Sequence, residues 1–321
     1  MFVILPVLLI AVVVGGLCIG VTWINPLELF NIPDDDLSHA LIGLRISRIT
    51  TAFTVGGALA VAGAAYQTVL RNPLAEPYIL GISGGASLGA AIAIISGLSA
   101  CTMLAVPGMA FVFAILAMAL VLLMGRGRFS EYSENVLLSG VIVGAVCSSI
   151  LMFIISTLNH YELNSVTWWM LGNLQAADNS LLNIAIAVTV IGTLLLTLNG
   201  RQANLISLGE EMAYNMGTVP FRVVMILLCT ASLMTAASVS LAGIISFVGL
   251  LVPHATRRIF GADHRRLFIL NLICGGIFLT ACDIISRVLL EAQEVPVGVI
   301  TALIGGPFFI WILNRKGRRN A

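Results

Sequence analysis

Lysine is nearly absent. The 321-residue chain holds one, Lys316, followed by Gly317. A phosphate-binding loop needs G-x-x-x-x-G-K-[ST], so this chain does not hydrolyse ATP by that route. Charge of either sign is scarce, at 10%, where soluble domains carry about 25%. A soluble fold of this size could not cover its surface with so few charges. Long polar stretches are missing too: the longest loops run to about twenty residues, which leaves no room for a separate soluble domain. The six cysteines form no C-x-x-C pair, and most fall in apolar runs. That argues against a disulfide framework or a zinc site and for small packing residues. No metal-ligand set stands out. The net charge of +1 gives no reason to expect nucleic-acid binding.

What is abundant is apolar surface: 59% of residues are hydrophobic and the mean hydropathy is +1.05. Apolar runs occur near 2–23, 49–70, 79–98, 103–124, 136–158, 181–198, 267–286 and 297–313. Runs of about 18 residues or more predict membrane-spanning helices. The first, "MFVILPVLLIAVVVGGLCIGVTW", lacks a basic leader and is too long for a signal core, so it reads as a retained span.

One further block runs from Arg222 to His254 without charge. As one straight helix it would be about 46 Å long, against a hydrocarbon core of about 30 Å. Gly243 and Gly249 offer bends. The block therefore reads as a span over 221–241 and a short or broken return element over 242–252. Charge parity supports that choice. With ten crossings, 13 of the 16 Lys and Arg fall on one side: Arg71; Arg126 and Arg128; Arg201 and Arg222; Arg257, Arg258, Arg265 and Arg266; and the Arg315–Arg319 tail. The positive-inside rule then places both termini in the cytoplasm. The expectation is an all-α polytopic membrane protein with ten transmembrane helices, one short or broken, in a single domain over 1–321.

Three basic residues, Arg45, Arg48 and Arg287, fall on the other side. They are either interface anchors or an electropositive rim for an acidic partner. Asp283 lies one helical turn before Arg287 and can pair with it. The stretch "RNPLAEPYILGISGGASLGAA" (71–91) raises three readings. G-x-S-G around Ser83 resembles a serine-protease motif, but His39, His160, His254 and His264 are all expected in loops or at span ends. A phosphate cradle lacks its lysine. Packing fits best: Gly81, Gly85 and Gly89 recur every fourth residue, as on a close helix–helix face or along a pathway. Gly56, Gly57 and Gly63 repeat the pattern in the preceding span. In "GLLVPHATRRIFGADHRRL" (249–267), Pro253 is expected to end the short element. His254, Ala255, Thr256, Arg257, Arg258, Ile259 and Phe260 then form a brief amphipathic helix, which either sets topology or docks a soluble partner. "LISLGEEMAYNMG" (205–217) is a polar cytoplasmic segment marked by Glu210 and Glu211.

These blocks, with "WWMLGNL" and "VPVGVITALIGGPFFIWIL", resemble in order the permeases of the FecCD family, the membrane halves of ABC importers for iron-siderophores, haem and cobalamin. The resemblance implies a type II ABC importer permease architecture and a second permease copy around a central pathway. It implies two cytoplasmic ATPase subunits, which hold the ATP and Mg, and a periplasmic or lipid-anchored binding protein that delivers a metal chelate. No cofactor is expected on this chain, and no catalytic residue. By the same resemblance Arg45, Arg48 and Arg287 dock the binding protein. Asn72 and Leu74 form a cytoplasmic gate, with a further gate layer around Ser130–Ser133. Residues 253–266, with His254–Phe260, couple to the ATPase. The expected location is the bacterial inner membrane. An ion-coupled secondary transporter and an intramembrane protease are the alternatives.

Overall fold

The computed structural model describes residues 4–20, 23–26, 36–125, 132–175, 178–290 and 293–317, without the side chains of 36–37, 132–133 and 311–317. Within them the chain is helical: α1 (Ile4–Cys18), α2 (Asp36–Val69), α3 (Ile82–Ile95), α4 (Leu98–Cys101), α5 (Ala105–Met124), α6 (Tyr132–Ile155), α7 (His160–Met170), α8 (Asn179–Leu198), α9 (Gly200–Ser207), α10 (Glu210–Asn215), α11 (Pro220–Ala242), α12 (Val248–Phe260), α13 (His264–Val288) and α14 (Val297–Gly317). Six are long and apolar enough to cross a membrane: those over Ser38–Val69, Ala105–Met124, Glu134–Ile155, Asn179–Leu198, Pro220–Ala242 and His264–Val288. Three shorter apolar helices cover Ile4–Cys18, Ile82–Ile95 and Val297–Ile310.

Helix α2 is the hub, packed against α1, α8, α9, α11, α12 and α13. From Ile49 to Val69 it carries no charge and is buried on nearly every side, as expected of a helix that is apolar all round. Its small residues set the distances. A methyl on Gly56 would meet the Gly275 carbonyl of α13, and one on Gly275 would meet the Gly56 carbonyl. Gly63 lies in the same way on the Gly249 carbonyl of α12. Without a hydrophobic drive between helices in lipid, such close backbone approach is what holds them together.

The glycines at 81, 85 and 89 divide into two sets. Gly85 and Gly89 pack on Phe113 and Met109 of α5, as a single glycine face predicts. Gly81 departs from that face. It lies before the helix at φ 72, closes the 3-10 turn Pro77–Leu80, and faces Gly140 and Gly144 of α6. Its role is the left-handed turn that only glycine adopts without strain.

The expected break between α11 and α12 is real and covers residues 243–247. It is clasped by the segment that joins α2 to α3. The Tyr78 hydroxyl donates to the Ile245 carbonyl and accepts from its N–H, both at 3.0 Å. Glu76 Oε1 accepts the N–H of Phe247 at 2.6 Å, where Phe247 holds φ at 69. Irregular backbone at membrane depth needs such partners.

Pro253 does not end the helix, contrary to the sequence expectation. Helix α12 runs through it to Phe260. Proline removes the N–H that would bond the Gly249 carbonyl, and Gln67 Nε2 on α2 donates to that carbonyl instead, at 3.2 Å.

Candidate functional site

Helices α2 and α13 pack antiparallel, so each end of the pair gathers its own polar groups. At one end stand Arg45, Arg48 and Arg287. Asp283 is fully buried and takes both outer arginines. Its Oδ1 accepts from Arg48 Nε at 2.9 Å, and its Oδ2 pairs with Arg287 Nη2. Arg48 Nη1 also bonds Glu294 Oε2 at 2.8 Å. Arg287 donates to the Gly16 carbonyl at 3.1 Å, and Arg45 to the Leu17 carbonyl, tying in α1. Arg45 and Arg287 are 8% and 5% exposed, so neither presents a free cation on the monomer surface. The helical spacing gave the Asp283–Arg287 pair. It gave no sign of Arg48, brought there by the α2–α13 crossing, or of Glu294, brought there by the segment between α13 and α14.

At the other end, Arg71 adopts φ 48 and lies 4.0 Å from Glu210. Asn72 closes a local turn, its Oδ1 accepting from Leu74 N–H at 2.9 Å, and Leu74 is exposed. The two gate candidates therefore sit on one turn, next to the clasping Glu76. Ser130 lies outside the described residues, as do Arg126 and Arg128, and the side chain of Ser133 is not described.

Of His254 to Phe260, only Arg258 and Ile259 are exposed. Thr256 is buried, and Arg257 donates to the Ala64 carbonyl at 3.2 Å. Beyond α12, His264 is a junction: Nε2 lies 2.6 Å from Thr68 Oγ1 and Nδ1 2.6 Å from Asn204 Oδ1. Asn204 Nδ2 donates to Asp263 at 2.8 Å, which holds the Asp263 carboxyl below its ordinary range. This fastens α9 to α2 and α13. From there α9 and α10 lead to an exposed apolar run of Leu208, Met212, Tyr214, Met216 and Val219, beside a groove of about 1120 Å³ that Arg71 and Glu211 help to line. The repeated small-apolar and acidic residues of "LISLGEEMAYNMG" were the available signal for this surface.

A second cavity, of about 820 Å³, opens between α3, α5, α7, α8 and α11. Helix α7 was expected as part of a loop. Its signal was legible in "NHYE", a capping box in which Asn159 Oδ1 accepts from Glu162 N–H at 3.0 Å and the Glu162 carboxylate accepts from Asn159 N–H at 3.2 Å.

The described residues form a multi-helix bundle with interrupted helices and a clasped break between α11 and α12. The chain belongs to the FecCD transport family, whose model matches residues 8–315. It is similar to the cobalamin import system permease protein BtuC of Halobacterium salinarum, with 37% identity over 96% of this chain and 82% of that one. It is also similar to the hemin transport system permease protein HmuU of Yersinia pestis, with 32% identity over 97% and 94%. A solved chain described as a metal-chelate type ABC transporter in an inward-facing conformation superposes with a TM-score of 0.87 at 26% identity, covering 97% of both chains.

Proposed function

We propose that this chain is the permease subunit of an ABC importer that moves a metal chelate into the cytoplasm. The carrying observation is the family match over residues 8–315. The relatives named for cobalamin and hemin support a chelate as cargo. Our reading is ten crossings, supported by the six long helices and three shorter apolar ones, with α12 taken as the short element. Both termini then lie in the cytoplasm, and the arginine end faces outward.

The two ends take different partners. Two ATPase subunits dock on the basic end, where the exposed edge of α12 joins the apolar run from Leu208 to Val219. Force enters there and reaches the turn of Asn72 and Leu74 through the Arg71–Glu210 contact and the His264 junction. An acidic binding protein docks at the outward end on Arg48, with Arg45 and Arg287 behind it. A second permease copy completes the pathway, and gating follows as these elements shift between inward- and outward-open states. This chain supplies no catalytic group.

Reconstituted with its ATPase and binding protein, the permease is expected to take up chelate only with ATP. Uptake that persists when the Walker lysine of the partner ATPase is replaced would sink the proposal. Asp283, with both oxygens on arginines, offers no support for an ion-coupled mechanism.

A further inference from the structure

The outward cavity carries information about its cargo. Tyr161, Glu162, Trp169, Asn173, Gln175 and Asp178 contribute to its polar and aromatic lining, and none of the described lining residues is Lys, Arg or His. Both carboxylates are oriented by local hydrogen bonds. Glu162 accepts the Asn159 N–H in the capping box. Asp178 accepts from Ser180 N–H at 2.7 Å, and bonding to Ser180 holds its carboxyl below the ordinary range.

Arg48 lies beside this cavity, since Asn173 and Gln175 also border a small recess that reaches Arg48 and Glu294. Arg48 already carries Asp283 and Glu294, and Arg287 carries Asp283. The cavity lining therefore presents two carboxylates, amides and two aromatic rings, while the neighbouring Arg48 and Arg287 are paired with Asp283 and Glu294. A cleft lined by one sign of charge concentrates ligands of the other sign, and aromatic faces favour cations.

Resting on the importer reading above, we propose that this cavity is an outward vestibule for neutral or cationic chelates and discriminates against strongly anionic ones. The amides offer hydrogen bonds to a polar chelate shell, and Trp169 and Tyr161 offer flat contact. Haem, with two propionates, and tris-catecholate iron complexes fall on the disfavoured side. Neutral corrinoids and ferric trihydroxamates fall on the favoured one.

The test uses the permease with its ATPase subunits in nanodiscs and equilibrium dialysis of three radio-iron chelates. These are a singly cationic linear trihydroxamate, a neutral cyclic trihydroxamate and a triply anionic tris-catecholate. The first two are expected to bind about tenfold more tightly than the third. Glu162→Gln with Asp178→Asn should close most of that gap. Both replacements retain a hydrogen-bonding oxygen, so the helix caps survive. Equal or tighter binding of the catecholate overturns the inference, as does a gap unchanged in the double variant, and in either case the importer reading stands. Binding of none of the three chelates also overturns this inference, whereas the importer reading falls only if ATP-dependent uptake fails with the binding protein present.

Discussion

Arg48 bonds Asp283 through Nε at 2.9 Å and Glu294 through Nη1 at 2.8 Å. One guanidinium thus ties α2 to α13 and to the segment that leads into α14. Of its two partners, Asp283 is wholly buried, whereas the Glu294 side chain is 38% exposed. An incoming acidic partner can compete for Arg48 only by replacing Glu294. Glu294→Gln is therefore expected to tighten binding-protein docking a few-fold, in keeping with about 1 kcal/mol or less for an exposed pair. Arg48→Ala should weaken docking. Biolayer interferometry on the nanodisc complex reads both, and weaker docking of Glu294→Gln would refute the competition.

Asp283 compensates Arg48 and Arg287 at once. Asp283→Ala leaves two arginines without their buried counter-ion, and breaking such a pair costs about 3–5 kcal/mol. A clear drop in Tm in detergent is expected. Arg287→Met in the same background should restore part of it, because one stranded charge is removed. An unchanged Tm for Asp283→Ala would mean the network does not support the fold.

The glycine seams predict a contrast between positions of equal composition. Gly63→Ala drives a methyl onto the Gly249 carbonyl, and Gly249→Ala drives one onto Pro77 and the Leu59 carbonyl. Gly108→Ala, also in a helix, meets nothing within 4 Å. The first two should lose about 1–3 kcal/mol as overpacking does, read as lower Tm and lower monodisperse yield. Gly108→Ala should be neutral or slightly stabilising. Equal behaviour of all three would remove the argument that α2 and α12 touch through backbone.

Much of this arrangement was legible in the residues. Apolar run length located the apolar part of every long helix and the break after α11, because lipid imposes length and polarity directly on sequence, but it missed the polar start of α2, which begins at Asp36 and not near 49. The capping box of α7 was equally local and was there to be read. What run length cannot convey is how the helices cross. Arg45 looks like a rim residue on its own helix and becomes buried only because α1 lies over it. Gly81 shares a four-residue spacing with Gly85 and Gly89 but stands outside the helix that spacing assumes. Thr256 lies in an amphipathic pattern yet is covered by its neighbours. Each difference arises from tertiary contact between elements distant in sequence.

Pro253 shows the same limit and allows the sharpest test. Proline in a helix interior is read as a stop because it strands the carbonyl four residues earlier. Here that carbonyl belongs to Gly249, and Gln67 on α2 supplies the missing donor at 3.2 Å. Gln67→Leu should therefore cost about 1–3 kcal/mol, the penalty for a buried acceptor left unsatisfied. Pro253→Ala restores an N–H within α12 that can bond Gly249 itself. Added to Gln67→Leu, it should recover most of the lost stability, although alone it should change little. A double-mutant cycle on Tm, or on unfolding in mixed micelles, measures that coupling. Strict additivity of the two substitutions would show that Gln67 and Pro253 act independently and that α12 tolerates its proline for another reason.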